Sequence, residues 1–308
     1  MFFAVASHSP HLAGQVLQAW DSRRRSDPAL RCHALVDCLL DPSFPEFWKQ
    51  HSRHPPLAVY ADQIGFDSAR HVSPSLIPLP DRQESAAQML SVLLARCQGR
   101  PSLGFLVTRH APAVMQAQLM RLAGVSDGDG QRWLLRFGDT RIWPYMGEWL
   151  TPAQHAYAFA GITAWMIVNR YGELEILDGS PDTDPAAPDD VVKDFRLTEQ
   201  QFLQLLDRAE ADTHLAELAQ TPGHVRLLRS PIEQYDTARQ CLATLDRLAI
   251  KSEQDRYEYI RFALSVPGDC ERHPDVQTAL LSASQGEGRL SELLRELALA
   301  VMATPFHK

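Results

Sequence analysis

Apolar residues recur through the first half of the chain in short runs, separated by polar segments rich in Pro and Gly. HALVDCLL (33–40), PLAVYA (56–61), SLGFLVT (102–108), RWLLRF (132–137) and YAFAGITAWMIV (157–168) have the length, the β-branched or aromatic content and the flanking breakers of strands. Between them the period changes. In ESAAQMLSVLLARC (84–97), Met89, Leu90, Leu93, Leu94 and Cys97 recur at helical spacing. APAVMQAQLMRLAG (111–124) reads as a second helix, stopped by Gly124. Strands alternating with helices predict an α/β lobe, a mixed sheet with flanking helices, over residues 1–177.

The pattern then breaks. DGSPDTDPAAPDD (178–190) holds three prolines, five aspartates and no Lys or Arg, so residues 178–194 read as an acidic, Pro-rich linker or loop. From residue 195 to 308 only the helical period remains, which predicts an all-α C-terminal bundle lobe. Thr198-x-x-Gln201 is a capping box, followed by Phe202, Leu205, Leu206 and Ala209 on one face. Ser230-Pro231-x-Glu233 is a second box, with Pro at the first helical position. Its stripe runs Ile232, Tyr235, Ala238, Cys241, Leu242, Leu245 and Ala249. Ser252-x-x-Asp255, Pro274 and Leu290 open three more helices. No internal repeat is visible.

Composition narrows the class. The formal net charge is −8, so the basic excess of a nucleic-acid binder is missing. Five cysteines, Cys32, Cys38, Cys97, Cys241 and Cys270, are scattered with no C-x-x-C pair, as expected of free thiols in a reducing compartment. The opening MFFAVAS has no preceding cation and too short an apolar run for a signal peptide. No apolar stretch approaches the roughly 18–20 residues of a membrane span. The expectation is a cytoplasmic protein that does not engage membrane.

Candidate chemistry is sparse. His51-x-x-His54 and the pair His8 and His11 have spacings a metal can use, but they fall in Pro- and Ser-rich loops, so no metal is expected. No G-x-S-x-G elbow, phosphate-binding loop or dinucleotide fingerprint occurs, so no cofactor is expected. Asp127-Gly128-Asp129-Gly130 lacks the later oxygen ligands of a calcium loop and reads as a turn. Asp41 before Pro42 reads as a helix start, whereas for Asp37, at a strand end, structural and functional roles stay open.

Charge concentrates in RFGDTRIWP (136–144). Trp133, Leu135 and Phe137 are expected on one strand face and Leu134 and Arg136 on the other. Gly138 ends the strand, and Ile142, Met146, Trp149 and Leu150 give a helical stripe. Asp139 stands where an N-cap belongs, and Arg141 in the first turn calls for a carboxylate partner. The stretch lacks a nucleophile and a base, so a structural corner is expected first and a binding contact second.

The order of these segments resembles the effector-loading chaperone, or adaptor, family of type VI secretion systems, long catalogued as a domain of unknown function. HALVDCLLDPSFPEFW is similar to its opening strand, which ends in an aspartate before Asp-Pro and a helix. PPLAVYADQIGFDSARHVSPSLIPL and SLGFLVTRHAPAVMQAQLMRLAGV are similar to the segments that follow. The family's mark is an apolar strand running into Arg-Phe-aromatic-Asp-Pro-Arg, then a helix and an aromatic-rich strand ending in Trp. LLRFGDTRIWPYMGEWL and AFAGITAWMIV resemble it, with Gly138 in place of the aromatic and Thr140 in place of the proline.

The resemblance spans about residues 33–170 and implies a non-enzymatic carrier. Such a protein binds a toxic effector in the cytoplasm, near its N-terminal or membrane-inserting region. It hands the effector to the spike protein or its tip cap. Arg136, Asp139, Arg141, Asp37, Trp143 and Trp165 are the residues expected to bind the partner or to shape the lobe. Two rival readings are a hydrolase using Asp37, Asp139 and a histidine, and an immunity protein that neutralises a toxin.

Overall fold

The computed structural model describes residues 3–52, 55–60, 72–185, 195–221 and 229–303. The chain forms two compact units. One runs from Ser7 to Leu206, and the other holds the residues from Asp207 onward together with the N-terminal residues up to Ala6. The division falls inside a helix rather than in the acidic segment 178–194, because residues 195–206 pack with the sheet-bearing unit.

The first unit begins with α1 (Leu12–Ser26), β1 (Arg31–Val36), α2 (Phe44–His51), β2 (Leu57–Ala58), β3 (Ser75–Pro78) and α3 (Gln83–Cys97). It continues with β4 (Leu103–Thr108), α4 (Pro112–Ala123), β5 (Gly124–Ser126), β6 (Arg132–Leu134), α5 (Trp143–Trp149) and α6 (Pro152–Ala158). Then come β7 (Ile162–Val168), β8 (Leu174–Asp178) and β9 (Phe195–Arg196), which leads into α7 (Glu199–Gln220).

Six strands form one sheet in the order β2-β3-β1-β4-β7-β8. Every pairing in it is antiparallel, and the parallel strand pairing lies in a second, small sheet, β6-β5-β9, between β5 and β9. The central strands β1, β4 and β7 are buried on both faces, which explains why they read as continuous apolar runs. Cys32, Ala34 and Val36 of β1, Phe105 and Val107 of β4, and Ala164 and Met166 of β7 face Trp20 of α1, Trp48 of α2 and Leu90 and Leu93 of α3. Leu35, Leu106, Trp165 and Ile167 face the other way, toward Leu119 of α4, Met146 of α5 and Tyr157 of α6.

Several expectations change at this level. The run 33–40 yields a strand only to Val36, after which Asp37 turns the chain. PLAVYA keeps two strand residues, Leu57 and Ala58, then turns at Val59 and Tyr60, while Ala61 lies outside the described residues. RWLLRF stops being a strand at Leu134, so Trp133 does not share a buried face with Leu135 and Phe137: it is 42% exposed while they are buried. In YAFAGITAWMIV the first two residues end α6, whose capping box joins Thr151 to Gln154 behind Pro152. Gly161, at φ +70°, then turns the chain into β7.

Asp41 does not cap α2. Its carboxylate is buried against Arg96 at 2.6 Å, and the residue before the helix is Ser43. The Asp-Gly-Asp-Gly stretch is the β5–β6 turn, in which Asp127 Oδ1 accepts from the N–H groups of Asp129 and Gln131. Asp127 Oδ2 accepts from Trp133 Nε1 at 2.9 Å, and this bond holds the carboxyl below its ordinary range.

The second unit contains the rest of α7, then α8 (Pro231–Arg247), α9 (Glu253–Ser265), α10 (Pro274–Ser284) and α11 (Leu290–Ala303). The capping residues act as the sequence implies. Thr198 and Gln201 exchange backbone and side-chain bonds, as do Ser230 and Glu233, and Ser252 accepts from the Asp255 N–H. Tyr235, Ala238, Cys241, Leu242 and Leu245 of α8 join Tyr259, Ile260 and Leu264 of α9 in one apolar cluster. The stripe expected on α7 shifts: Leu206 and Ala209 are exposed, and the buried apolar positions are Ala211, Leu215 and Leu218.

Candidate functional site

The charged stretch lies where the end of β1 meets the loop between β6 and α5. Asp37 follows β1 directly and is tied to the neighbouring loop by its N–H, which donates to Ser102 O at 2.9 Å. Its Oδ1 accepts the Leu39 N–H at 2.9 Å. Its Oδ2 accepts Arg136 Nη2 at 3.0 Å. Arg136 Nη2 also lies 3.5 Å from Asp139 Oδ2. Asp139 in turn grips Arg141 through two bonds, Nε to Oδ1 at 2.9 Å and Nη2 to Oδ2 at 2.6 Å. Two carboxylates and two guanidiniums thus form one chain of alternating charge, Asp37–Arg136–Asp139–Arg141.

Asp139 is not the N-cap of α5. The helix starts at Trp143, where Pro144 fixes the first turn, and its cap position is Ile142 with no side-chain bond. The Asp139 carboxylate instead closes a local turn by accepting the Arg141 N–H at 3.2 Å. Thr140 pins that turn to the sheet. Its N–H donates to Pro101 O at 2.9 Å and its hydroxyl to Val168 O, at the end of β7, at 2.8 Å.

Gly138 is required by close approach. A Cβ there would sit 2.9 Å from Asp37 Cβ and 3.2 Å from Asp37 Cα. The missing side chain lets the loop press against the end of β1, and the Asp37–Arg136 bond forms across that contact.

Electrostatics follow burial. Asp37 is 3% exposed, and removal from water pushes its carboxyl above the ordinary aspartate value. The Arg136 guanidinium pulls it back down and the Asp139 carboxylate pushes it up again. Tyr60 is buried beside this group, and burial raises its phenol, with the Asp37 charge adding to the effect. Its ring meets Phe137 edge-on at 6.3 Å.

Trp143 and Trp165 belong to the interior. Both are buried, their ring centroids are 4.1 Å apart, and Phe159 packs edge-on to each. Trp143 Nε1 donates to Phe137 O at 2.6 Å, satisfying a carbonyl that no strand partner takes up. These indoles shape the lobe and offer no surface to a partner. The exposed part of the corner is the guanidinium edge: the side chains of Arg136 and Arg141 are 33% and 19% exposed. They can donate to a carboxylate or a backbone carbonyl of another protein.

The sequence left the role of Asp37 open, placed Asp139 at a helix cap and joined the two only in the hydrolase reading; the ion-pair chain through Arg136 was not foreseen. Tyr60 carried no signal, and Thr140 stood out only as a departure from the resembled motif. His51 bonds its own helix at Phe47 O, and His54 lies outside the described residues. Among the described residues no group of three or more His, Cys, Asp or Glu side chains can hold a metal ion. No described helix is long and apolar enough to cross a membrane. An apolar patch does reach the surface, where Trp133 packs on Phe202 at 5.3 Å beside exposed Leu203 and Leu206.

No curated protein and no solved structure shows significant similarity to the chain. Residues 32–157, from β1 to α6 and including all four residues of the charged corner, match the model of the family described as domain of unknown function (DUF4123), a family associated with effector-loading chaperones of type VI secretion.

Proposed function

We propose that the chain is a carrier: a cytoplasmic, non-enzymatic chaperone that binds one toxic effector of a type VI secretion system and loads it onto the spike protein or its tip cap. The observation that carries this reading is the family match over residues 32–157. The corner supports binding over catalysis. Each carboxylate is engaged by the chain's own guanidiniums and N–H groups, so neither is poised as a base. The partly exposed Arg136 guanidinium suits the recognition of a protein surface.

The test is co-expression with a candidate toxin encoded by a neighbouring gene. A stable complex should co-purify, and the toxin's recoverable yield should rise. A toxin that purifies equally well alone and does not bind this chain overturns the reading. Binding confined to the toxin's killing domain, with protection of a target cell, would make it an immunity protein instead.

A further inference from the structure

Among the described residues the six-stranded sheet ends at β8 with its outer edge unpaired. Ala164 of β7 stands opposite Asp178 of β8, and Val168 opposite Leu174. The bonds just beyond the strands fix the phase: Gly179 N–H donates to Thr163 O at 3.2 Å, and Asn169 N–H to Glu173 O at 2.9 Å. Odd-numbered residues of β8 therefore exchange backbone bonds with β7. The N–H and C=O groups of Leu174, Ile176 and Asp178 point the other way, and among the described residues nothing takes them up. They offer a row of donors and acceptors at two-residue intervals, which an extended backbone matches. Among the described residues the opposite edge, β2, is two residues long and offers no such row.

The side chains specify what fits. Leu174, Ile176 and Asp178 project to one face, and Glu175 and Leu177 to the other. Leu174 and Leu177 are partly buried against the cores on their two sides, while Ile176 is 39% exposed. Between Tyr171 and Pro185 stand five carboxylates, Glu173, Glu175, Asp178, Asp182 and Asp184, and no Lys or Arg. Such charge opposes pairing with a second copy, which would bring an identical acidic edge alongside. It favours a strand bearing cations. The Trp133–Leu206 patch is apolar without this directional or charge information, so it does not name its occupant.

We propose that β8 receives an extended, basic segment of the carried protein as a seventh strand of the sheet. This assignment rests on the carrier reading above. An antiparallel occupant would read basic–apolar–apolar–basic–apolar, opposite Asp178, Leu177, Ile176, Glu175 and Leu174 in turn. Its cations meet the two carboxylates, and its apolar residues extend the two sheet faces.

The test uses the full chain, a candidate toxin encoded by a neighbouring gene, and a synthetic peptide with Lys-Val-Val-Lys-Val between Gly-Ser flanks. Two variants probe the edge. Ile176→Pro removes an outward N–H without touching the β7 ladder, and Glu175→Lys with Asp178→Lys reverses the charge. Each should weaken toxin and peptide binding at least roughly tenfold. In the wild type, the amides of Leu174, Ile176 and Asp178 should gain hydrogen-exchange protection on binding. If Ile176→Pro fails to fold, the charge-reversal variant and the exchange data decide.

Toxin binding that is equal in wild type and variants, with no new protection on β8, overturns the edge assignment and leaves the carrier reading standing. Peptide binding that depends on β8, with no toxin binding, does the reverse. A wild type that binds neither toxin nor peptide, or a wild-type dimer that Ile176→Pro dissociates, also overturns the assignment.

Discussion

Replacing Asp139 by Asn tests whether the corner is held by its ion pairs. The carboxylate is 4% exposed and accepts two bonds from the Arg141 guanidinium and one from the Arg141 N–H, with Arg136 3.5 Å away. Asparagine keeps the shape and one acceptor oxygen but removes the charge. Breaking a buried pair from one side costs about 3–5 kcal/mol when the remaining charge is fully enclosed. Here the two guanidiniums stay 33% and 19% exposed, and Asp37 still binds Arg136. Water and Asp37 absorb part of the loss, so about 2 kcal/mol is expected, and about 3 kcal/mol for Asp139→Ala, which also opens the turn. Urea unfolding at neutral pH measures it. With slopes of about 1–3 kcal/mol/M, the Asn variant's midpoint should fall by roughly 1 M at unchanged slope. An Asn variant within about 0.5 kcal/mol of wild type would falsify the view that these pairs hold the turn.

Other consequences can be checked directly. Burial raises the Asp37 carboxyl, so its ionisation in the folded state carries a cost that is absent below its ordinary value near 3.8 and complete above the raised value. The stability of wild type relative to Asp37→Asn should therefore fall as pH climbs through that window and then level off. A difference that instead grows with pH would show that Arg136 dominates burial. Gly138→Ala forces a Cβ to 2.9 Å from Asp37 and should cost about 1–3 kcal/mol in chemical unfolding, whereas a neutral result would mean that the loop can lift off β1 freely. In the helical unit, Arg256 forks onto Glu210 while its other nitrogen reaches Asp246 at 2.8 Å and Ile250 O at 3.2 Å. Lysine cannot reproduce that geometry, so Arg256→Lys should lower stability by about 1–2 kcal/mol although the charge is retained. A Tm equal to wild type's refutes this.

Much of the helical half was legible because caps are local chemistry. Thr198 with Gln201, Ser230 with Glu233 and Ser252 with Asp255 act within four residues, so sequence alone exposes them. The central strands were legible because both faces are buried. α1 went unseen: its last turn carries Arg23, Arg24 and Arg25, and only Leu12, Val16 and Trp20 are buried. β8 went unseen because LEILD, the strand at the sheet's margin, runs straight into the Asp-rich segment and shares its acidity. The corner was half legible. Residue types marked it as a turn, but the Asp37–Arg136 bond joins positions 99 residues apart, which no local pattern encodes. The helix start was misplaced because the Asp139 rule competes with Pro144, and Pro144 wins by fixing the backbone.

The strand order also governs how the chain acquires its structure. β1 must wait for β3 and β4, and β4 must wait for β7, whose last residue is Val168. Pairings this distant place folding toward the slow end for a sheet of this size. Until β7 leaves the ribosome, β4 offers six residues of bare backbone edge, all of which are buried in the finished protein. A fragment cut at residue 157, where the family match ends, keeps the whole charged corner yet lacks the strand that seals β4. It should aggregate, and a fragment has to run past β8 before its sheet is complete.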